Sequence, residues 1–280
     1  MKRNVWIASY PKSGNTWMRM ALASLFSGGE AIDINGKETS FGRIVSDRYA
    51  FDKSLDIDSA GLTEDEVAEL QPLVYKKFSN LFGRTYWKVH DAWGALPSGE
   101  ILFPQDITEL TIYIIRDPRD VVLSYANYFS CDVDEAIRHM ANPGHVLARR
   151  SAKLARQIPQ RLSSWSGHVA SWTETSDLPT LVVRYEDMFH GLGGILKTIC
   201  QRLDLDYDDT AIAGAIEHSR FEALKSQEMA NGFKEKMSKS ISFFSQGKTG
   251  TWRERLTPEQ VLRIERDHGA MMAKFGYAGT

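Results

Sequence analysis

Within the first twenty-seven residues, Lys12-Ser13-Gly14-Asn15-Thr16 stands between a short apolar run, Val5 to Ser9, and a segment in which Trp17, Met20, Ala21, Leu25 and Phe26 recur at helical spacing. A strand, a loop and a helix in that order present the loop's backbone N–H groups and the helix dipole to an anion. Gly14 lets the backbone approach closely, Lys12 adds a full positive charge, and Ser13 and Thr16 add hydroxyl donors. The competing reading is a tight turn with an exposed lysine. The loop is not a Walker A sequence, which runs G-x-x-x-x-G-K-[ST]; here lysine comes two residues before Gly14 and no glycine lies upstream. Nor does a clear acidic residue stand after the next strand to hold magnesium. A nucleoside triphosphate kinase therefore fits poorly.

Two further residues sit where chemistry is done. Arg116 ends the apolar run Leu110 to Ile115 and offers a planar fork of donors, with Ser124 two helical turns on and able to face back toward it. A surface ion pair with Asp117 or Asp120 is the alternative for Arg116, and Arg119 reads as solvated or structural. His90, of the seven histidines, is the one at the end of a strand beside a lysine, Lys88. Its ordinary pKa near 6.5 suits a general base. Alone, it would more often be a satisfied strand-end histidine. Asp91 is the neighbour available to orient the ring.

The elements that must position these groups follow from periodicity. Strands are expected over Val5–Ser9, Thr85–Val89, Leu110–Ile115 and Thr180–Val183. Thr63 opens a helix with a capping-box pattern, and Pro72 kinks or divides it. Asp117-Pro118 turns the chain into a helix carrying Val121, Val122 and Tyr125. A last helix is capped by Thr257, Pro258 and Gln260 and stopped by Gly276. Strands alternating with helices imply an α/β fold, a mostly parallel central sheet flanked by helices, with ligands beyond the carboxyl ends of the strands. Residues 28–62 carry no pattern that forces structure.

Composition narrows the classes. The 280 residues are 42% hydrophobic and 25% charged, with no linker, repeat or low-complexity tract, so one domain over 1–280 is expected. A net charge of −2 argues against a broad nucleic-acid surface but leaves room for a small basic pocket. Cys131 and Cys200 supply neither a disulfide framework nor metal-ligand spacing, which fits a reducing compartment. The apolar run near the start ends at Pro11, too early for a signal peptide, and no stretch reaches the length of a membrane span. A cytoplasmic, metal-free protein is the expectation.

Tyr10-Pro11-Lys12-Ser13-Gly14-Asn15-Thr16-Trp17 resembles the 5′-phosphosulfate loop, Y-P-K-S-G-T-T-W, of the sulfotransferases that use 3′-phosphoadenylyl sulfate (PAPS), of the cytosolic, bacterial-like type. Asn15 replaces a threonine. The stretch from Arg116 to Ser124 resembles the family's 3′-phosphate motif, and Lys88-Val89-His90 its Lys-x-His, whose histidine is the catalytic base. The resemblance implies a P-loop-like sulfotransferase fold and in-line transfer of a sulfonate from PAPS to a hydroxyl acceptor, leaving adenosine 3′,5′-bisphosphate (PAP). His90 would take the acceptor proton, Lys12 would stabilise charge on the leaving phosphate, and Lys88 and Thr16 would steady the sulfonate. Ser13, Gly14 and Asn15 would hold the phosphosulfate, Trp17 would stack on adenine, Tyr185 would contact the nucleotide, and Ser219 and Phe221 match an H-T-S-F segment at the base site.

The match thins toward the end of the chain. The family's R-K-G-x-x-G-D-W reads Ser245-Gln246-Gly247-Lys248-Thr249-Gly250-Thr251-Trp252, so Gly247 keeps its place while Lys248 or Arg253 is left to replace the missing arginine. The family's dimer motif is broken by Pro258 and Leu262, so no dimer is inferred. The resemblance covers about residues 4–27, 85–125, 180–225 and 240–275. Residues 28–80 and 130–175, where acceptor loops would lie, match nothing. Aromatics such as Phe41, Tyr49, Phe51, Tyr75, Trp93, Tyr128 and Phe129 either line an apolar acceptor pocket or pack. A small molecule or a glycan is the expected acceptor. A kinase-like phosphotransferase and a catalytically silent nucleotide-binding protein on the same fold are the competing classes.

Overall fold

Along the chain of the computed structural model the elements are β1 (Asn4–Ser9), α1 (Asn15–Phe26), β2 (Arg43–Ile44), α2 (Arg48–Leu55), α3 (Glu64–Leu81), β3 (Thr85–Val89) and β4 (Thr108–Ile115). There follow α4 (Pro118–Phe129), α5 (Val133–Ala141), β5 (Val146–Leu147), β6 (Gln160–Arg161), α6 (Trp165–Ala170) and β7 (Thr180–Arg184). After β7 come α7 (Tyr185–Arg202), α8 (Asp209–His218), α9 (Phe221–Asn231), α10 (Trp252–Arg255) and α11 (Pro258–Lys274). The structure describes residues 3–36, 43–44, 46–81, 83–149, 155–236, 242–244 and 247–279. Phe41, Ser245 and Gln246 lie outside them.

The sheet runs β2-β3-β1-β4-β7, and β3 pairs in parallel with both β1 and β2. The α/β class read from the alternation is the one found. All six residues of β1 are buried and all but one of β4, the mark of a sheet covered on both faces. Two indoles in this core are satisfied: Trp6 Nε1 donates to Thr108 Oγ1 and Trp87 Nε1 to Asn4 Oδ1, each at 2.9 Å. Burying them without acceptors would cost free energy.

Two compact units account for the chain. The first comprises Met1–Tyr10, Gly42–Tyr113 and Asn142–Val182; the second comprises Pro11–Phe41, Ile114–Ala141 and Val183–Thr280. The core of the first holds Trp6, Tyr75, Trp87 and Phe103 in edge and stacked contacts at 5.0–6.1 Å. Tyr75 and Phe51 are therefore packing residues in this unit. In the second, Met20, Ala23, Ile32, Ile34, Leu224, Phe233 and Phe244 form one cluster, against which Trp17, Phe221 and Phe243 pack.

Local differences from the expectations have physical causes. Pro72 does not divide α3, which continues from Glu64 to Leu81 with the proline inside it. Helix α2 falls in a stretch read as patternless; Asp47 caps it by accepting from Ala50 N at 2.8 Å. The capping box of α11 forms as read, with Thr257 and Gln260 exchanging bonds.

Candidate active site

In the second unit, the loop from Pro11 to Gly14 delivers the chain to α1. Gly14 sits at φ 106°, and Lys12, which has a Cβ, sits at φ 69°. Non-glycine residues in that region are strained, and such strain concentrates where a loop serves a ligand. A Cβ on Gly14 would lie 2.5 Å from the Tyr185 ring. Among the described residues no side chain caps α1, and no acid occupies its first turn; the first intrahelical bond is Met18 N to Gly14 O at 3.1 Å. The N–H groups ahead of it have no intrahelical acceptor, and the dipole there favours an anion. Ser13, Asn15 and Thr16 are buried.

Arg116 braces this loop. Its Nη1 donates to Lys12 O at 3.2 Å and its Nη2 to Lys248 O at 3.0 Å, while its guanidinium lies 4.2 Å from the Tyr185 ring centre. Burial pushes the Tyr185 phenol up, and the Arg116 charge opposes the shift. Neither ion pair open to Arg116 in the sequence forms: Asp117 binds Arg119, and Asp120 binds the Gly250 and Trp252 N–H groups and the Thr251 hydroxyl. Besides the Trp17 indole N–H, two buried donors are left over at the loop and its brace. Ser13 Oγ and Arg116 Nε have no hydrogen-bond partner among the described residues. Buried donors without partners are rare in folded proteins, and here they fit a bound oxyanion.

Lys12 Nζ lies 3.8 Å from the centre of the Phe243 ring and 4.2 Å from that of Tyr128, a pair of cation–π contacts that hold the ammonium at the loop. Trp17 meets Tyr185 and Phe189 edge-on at 5.6 and 4.9 Å. Gly247 is at φ 58°, and any Cβ there would collide with the Phe221 ring. Ser219 is fully buried, Ser124 half-buried on α4, and Lys248 exposed. The second unit thus links Lys12, Gly14, Trp17, Arg116, Tyr185 and Lys248 by direct contact, and Gly247 to Phe221.

Lys88 and His90 belong to the first unit. They are two residues apart at the end of β3 and half-buried, like Tyr86 before them, so they continue one face of the strand. His90 Nδ1 is 2.8 Å from Ser9 O. A carbonyl only accepts, so Nδ1 carries a proton, and in the neutral imidazole Nε2 then keeps its lone pair. That is the tautomer a base working through Nε2 requires. Asp91 does not orient the ring: its Oδ1 accepts from Arg161 N at 2.8 Å, and burial raises its carboxyl to about 7.

The sulfotransferase domain model matches residues 2–276. The chain belongs to that family. The sulfotransferase is 25% identical over 270 residues to the mouse sulfotransferase 1 family member D1 and 26% identical over 271 residues to rat sulfotransferase 1A1. These alignments cover 95% of this chain and 82% and 83% of the relatives. Among solved structures, mouse sulfotransferase SULT7A1 complexed with PAP superposes with a TM-score of 0.61 at 19% identity, covering 100% of this chain and 90% of that one. Retinol dehydratase in complex with androsterone and inactive cofactor PAP gives 0.60 at 18%, with 96% and 80% covered. At such identities the likeness speaks to the fold.

Sequence reasoning missed the residues that hold the segments around Phe243 and Gly250. The buried Asp120 carboxylate accepts from Gly250 N at 2.6 Å, Thr251 Oγ1 at 2.9 Å and Trp252 N at 3.1 Å. Glu228 accepts from Phe243 N at 2.6 Å, and from Phe244 N and Ser242 Oγ at 2.9 Å. Burial pushes Glu228 up, but these donors hold it below the usual carboxylate range. Arg119 is structural rather than solvated, gripping Asp117, Glu265 and Tyr277 O beneath the Trp252 ring. No helix among the described residues is long and apolar enough to cross a membrane.

Proposed function

We propose that this sulfotransferase moves the sulfonate of PAPS to a hydroxyl on a small molecule or glycan. The reading is supported by two buried donors without a hydrogen-bond partner among the described residues: Ser13 Oγ beside the N-terminus of α1, which the 5′-phosphosulfate would complete, and Arg116 Nε, which the 3′-phosphate would complete. The PAP bound in the mouse SULT7A1 and retinol dehydratase structures supports the same donor. Nothing in this arrangement favours a magnesium–triphosphate over a bisphosphate nucleotide, and the lysine stands before Gly14 rather than after it.

In this reading His90 Nε2 accepts the proton from the acceptor O–H as the oxygen–sulfur bond forms. The bond between sulfur and the bridging phosphate oxygen breaks, and PAP leaves with the electron pair. Lys12 neutralises the charge arriving on that phosphate. Lys88 and Thr16 steady the sulfonate oxygens. Ser13, Gly14 and Asn15 hold the 5′-phosphate; Arg116, Ser124 and Lys248 hold the 3′-phosphate; Trp17, Tyr185, Ser219, Phe221 and Gly247 form the adenosine site. We further read 1–280 as one sulfotransferase domain working in the cytoplasm without nucleic-acid partners, in keeping with the family match and two free cysteines.

Calorimetric titration tests the donor. PAP is expected to bind at micromolar affinity or tighter, magnesium–ATP weakly, and Lys12→Ala to lose at least about tenfold in PAP affinity. Tight magnesium–ATP binding with none for PAP would move the protein among the phosphotransferases.

A further inference from the structure

His90 is held at two points. Its ring is tied through Nδ1 to Ser9 O, and its own backbone carbonyl accepts from the Nε2 of His168 at 3.0 Å. His168 is wholly buried. Its other nitrogen, Nδ1, is 2.8 Å from the Tyr113 hydroxyl. Because the His90 carbonyl can only accept, His168 Nε2 must carry the proton, so Nδ1 must accept from the Tyr113 O–H. The directions are therefore fixed: Tyr113 O–H to His168 Nδ1, His168 Nε2–H to His90 O. Burial holds the His168 imidazole neutral, lowering its pKa to about 4 against the opposing pull of the His90 carbonyl.

His168 does not act alone on this segment. One turn further on, Ser171 Oγ accepts from Trp93 N at 3.0 Å, and Trp172 Nε1 donates to Asp91 O at 3.0 Å. Residues 168, 171 and 172 share one helical face. From Ser171 to Thr175 the helix widens to the π form, which is often found where a helix serves a site. Three side chains from one helix thus grip residues 90, 91 and 93, the segment that carries His90 off the end of β3. Tyr10 closes over the His168 ring edge-on at 5.5 Å.

We propose that His168, backed by Tyr113, is the positioning residue for His90: it fixes the peptide from which the His90 ring reaches Ser9 O and so keeps Nε2 unprotonated and aimed. The assignment deepens the proposed function and rests on His90 being the base. His168 touches neither substrate nor reacting atoms in this scheme, and its effect passes through the His90 backbone.

The test compares His168→Leu, which removes both hydrogen bonds, with His168→Gln, whose amide N–H can still reach the His90 carbonyl. Three quantities are read on the full chain: turnover at saturating PAPS, PAP affinity by calorimetry, and the His90 tautomer by long-range proton–nitrogen correlation on ¹⁵N-histidine protein. His168→Leu is expected to lower turnover about tenfold to a hundredfold, the range for removing an orienting partner. PAP affinity should stay within about twofold of wild type, and the His90 signal should shift from Nδ1–H toward Nε2–H. His168→Gln should recover most of both losses. Unchanged tautomer and turnover in His168→Leu, or a His168→Gln no better than it, would overturn the proposal.

Should His168→Leu fail to fold, Tyr113→Phe deletes one hydroxyl and leaves the packing intact. It is expected to mix the His90 tautomers and slow turnover severalfold, and no change in either would count against the relay. His90→Ala separates the two layers. Undiminished turnover there removes His90 as base, while the tautomer measurement still decides whether His168 positions it.

Discussion

Under the proposed reading, Ser13 is held for a ligand at no benefit to the fold. Its hydroxyl is buried without a partner among the described residues, a state that costs roughly 1–3 kcal/mol relative to a satisfied one. Deleting the group should therefore leave stability unchanged or raise it slightly. It should at the same time remove one charge-assisted bond to the bound phosphate. For Ser13→Ala we expect PAP affinity to fall about tenfold, with an unfolding midpoint equal to or above that of wild type. A matched loss of stability and affinity would mean that Ser13 has a structural partner instead. His90 follows the opposite logic: its Nδ1 proton is spent on Ser9 O so that Nε2 stays free of one.

At the scale of elements, the loop around Gly250 is fixed by one carboxylate on α4. Asp120 collects two backbone N–H groups and the Thr251 hydroxyl, and the same loop supplies the Lys248 carbonyl that Arg116 uses. Asp120→Ala would leave those donors unmatched, at a cost of about 2–4 kcal/mol, and would release one arm of Arg116. A folded Asp120→Ala protein is expected to bind PAP at least about tenfold more weakly; undiminished affinity by calorimetry would show that the loop is held some other way. This dependence explains what could be read from the sequence. The Lys12 loop, the Arg116–Ser124 stretch and Lys88-Val89-His90 are short contiguous patterns at strand ends, so local periodicity locates them. Asp120 looked like a candidate ion-pair partner of Arg116, because nothing local says that it serves a segment 130 residues away. His168 acts through a backbone carbonyl 78 residues away, and a carbonyl has no sequence identity. Its only local signal was the helical spacing of Trp165, His168, Val169 and Trp172, which looks like ordinary core.

For the whole molecule, buried ionisable groups set how stability changes with pH, and here they oppose one another. Burial lowers His168 and His268 to about 4, resisted in the first by the His90 carbonyl and in the second by Asp267. The unfolded chain protonates these histidines first, near 6.5, so each adds stability as pH rises from about 4 to 6.5. Asp91 works in the other sense. Burial raises its carboxyl from 3.8 to about 7, against the Arg161 N–H and charge. Between those values the folded state holds the proton more firmly than the unfolded chain. Its contribution is fully present below about 4 and is lost as pH climbs through 7. Asp91→Asn keeps an oxygen for Arg161 N and cannot ionise. Relative to wild type it should be near neutral at pH 4, then gain steadily, reaching on the order of 2–4 kcal/mol above pH 7. Urea unfolding of both proteins at pH 4, 5.5 and 7.5 measures this difference directly, with the histidine contributions cancelling in the comparison. A difference that stays constant across the three values would place the Asp91 carboxylate in water-like surroundings, contrary to its burial beneath Arg161. A difference that grows as described would show that the segment bearing His90 is built on a residue whose charge the fold resists.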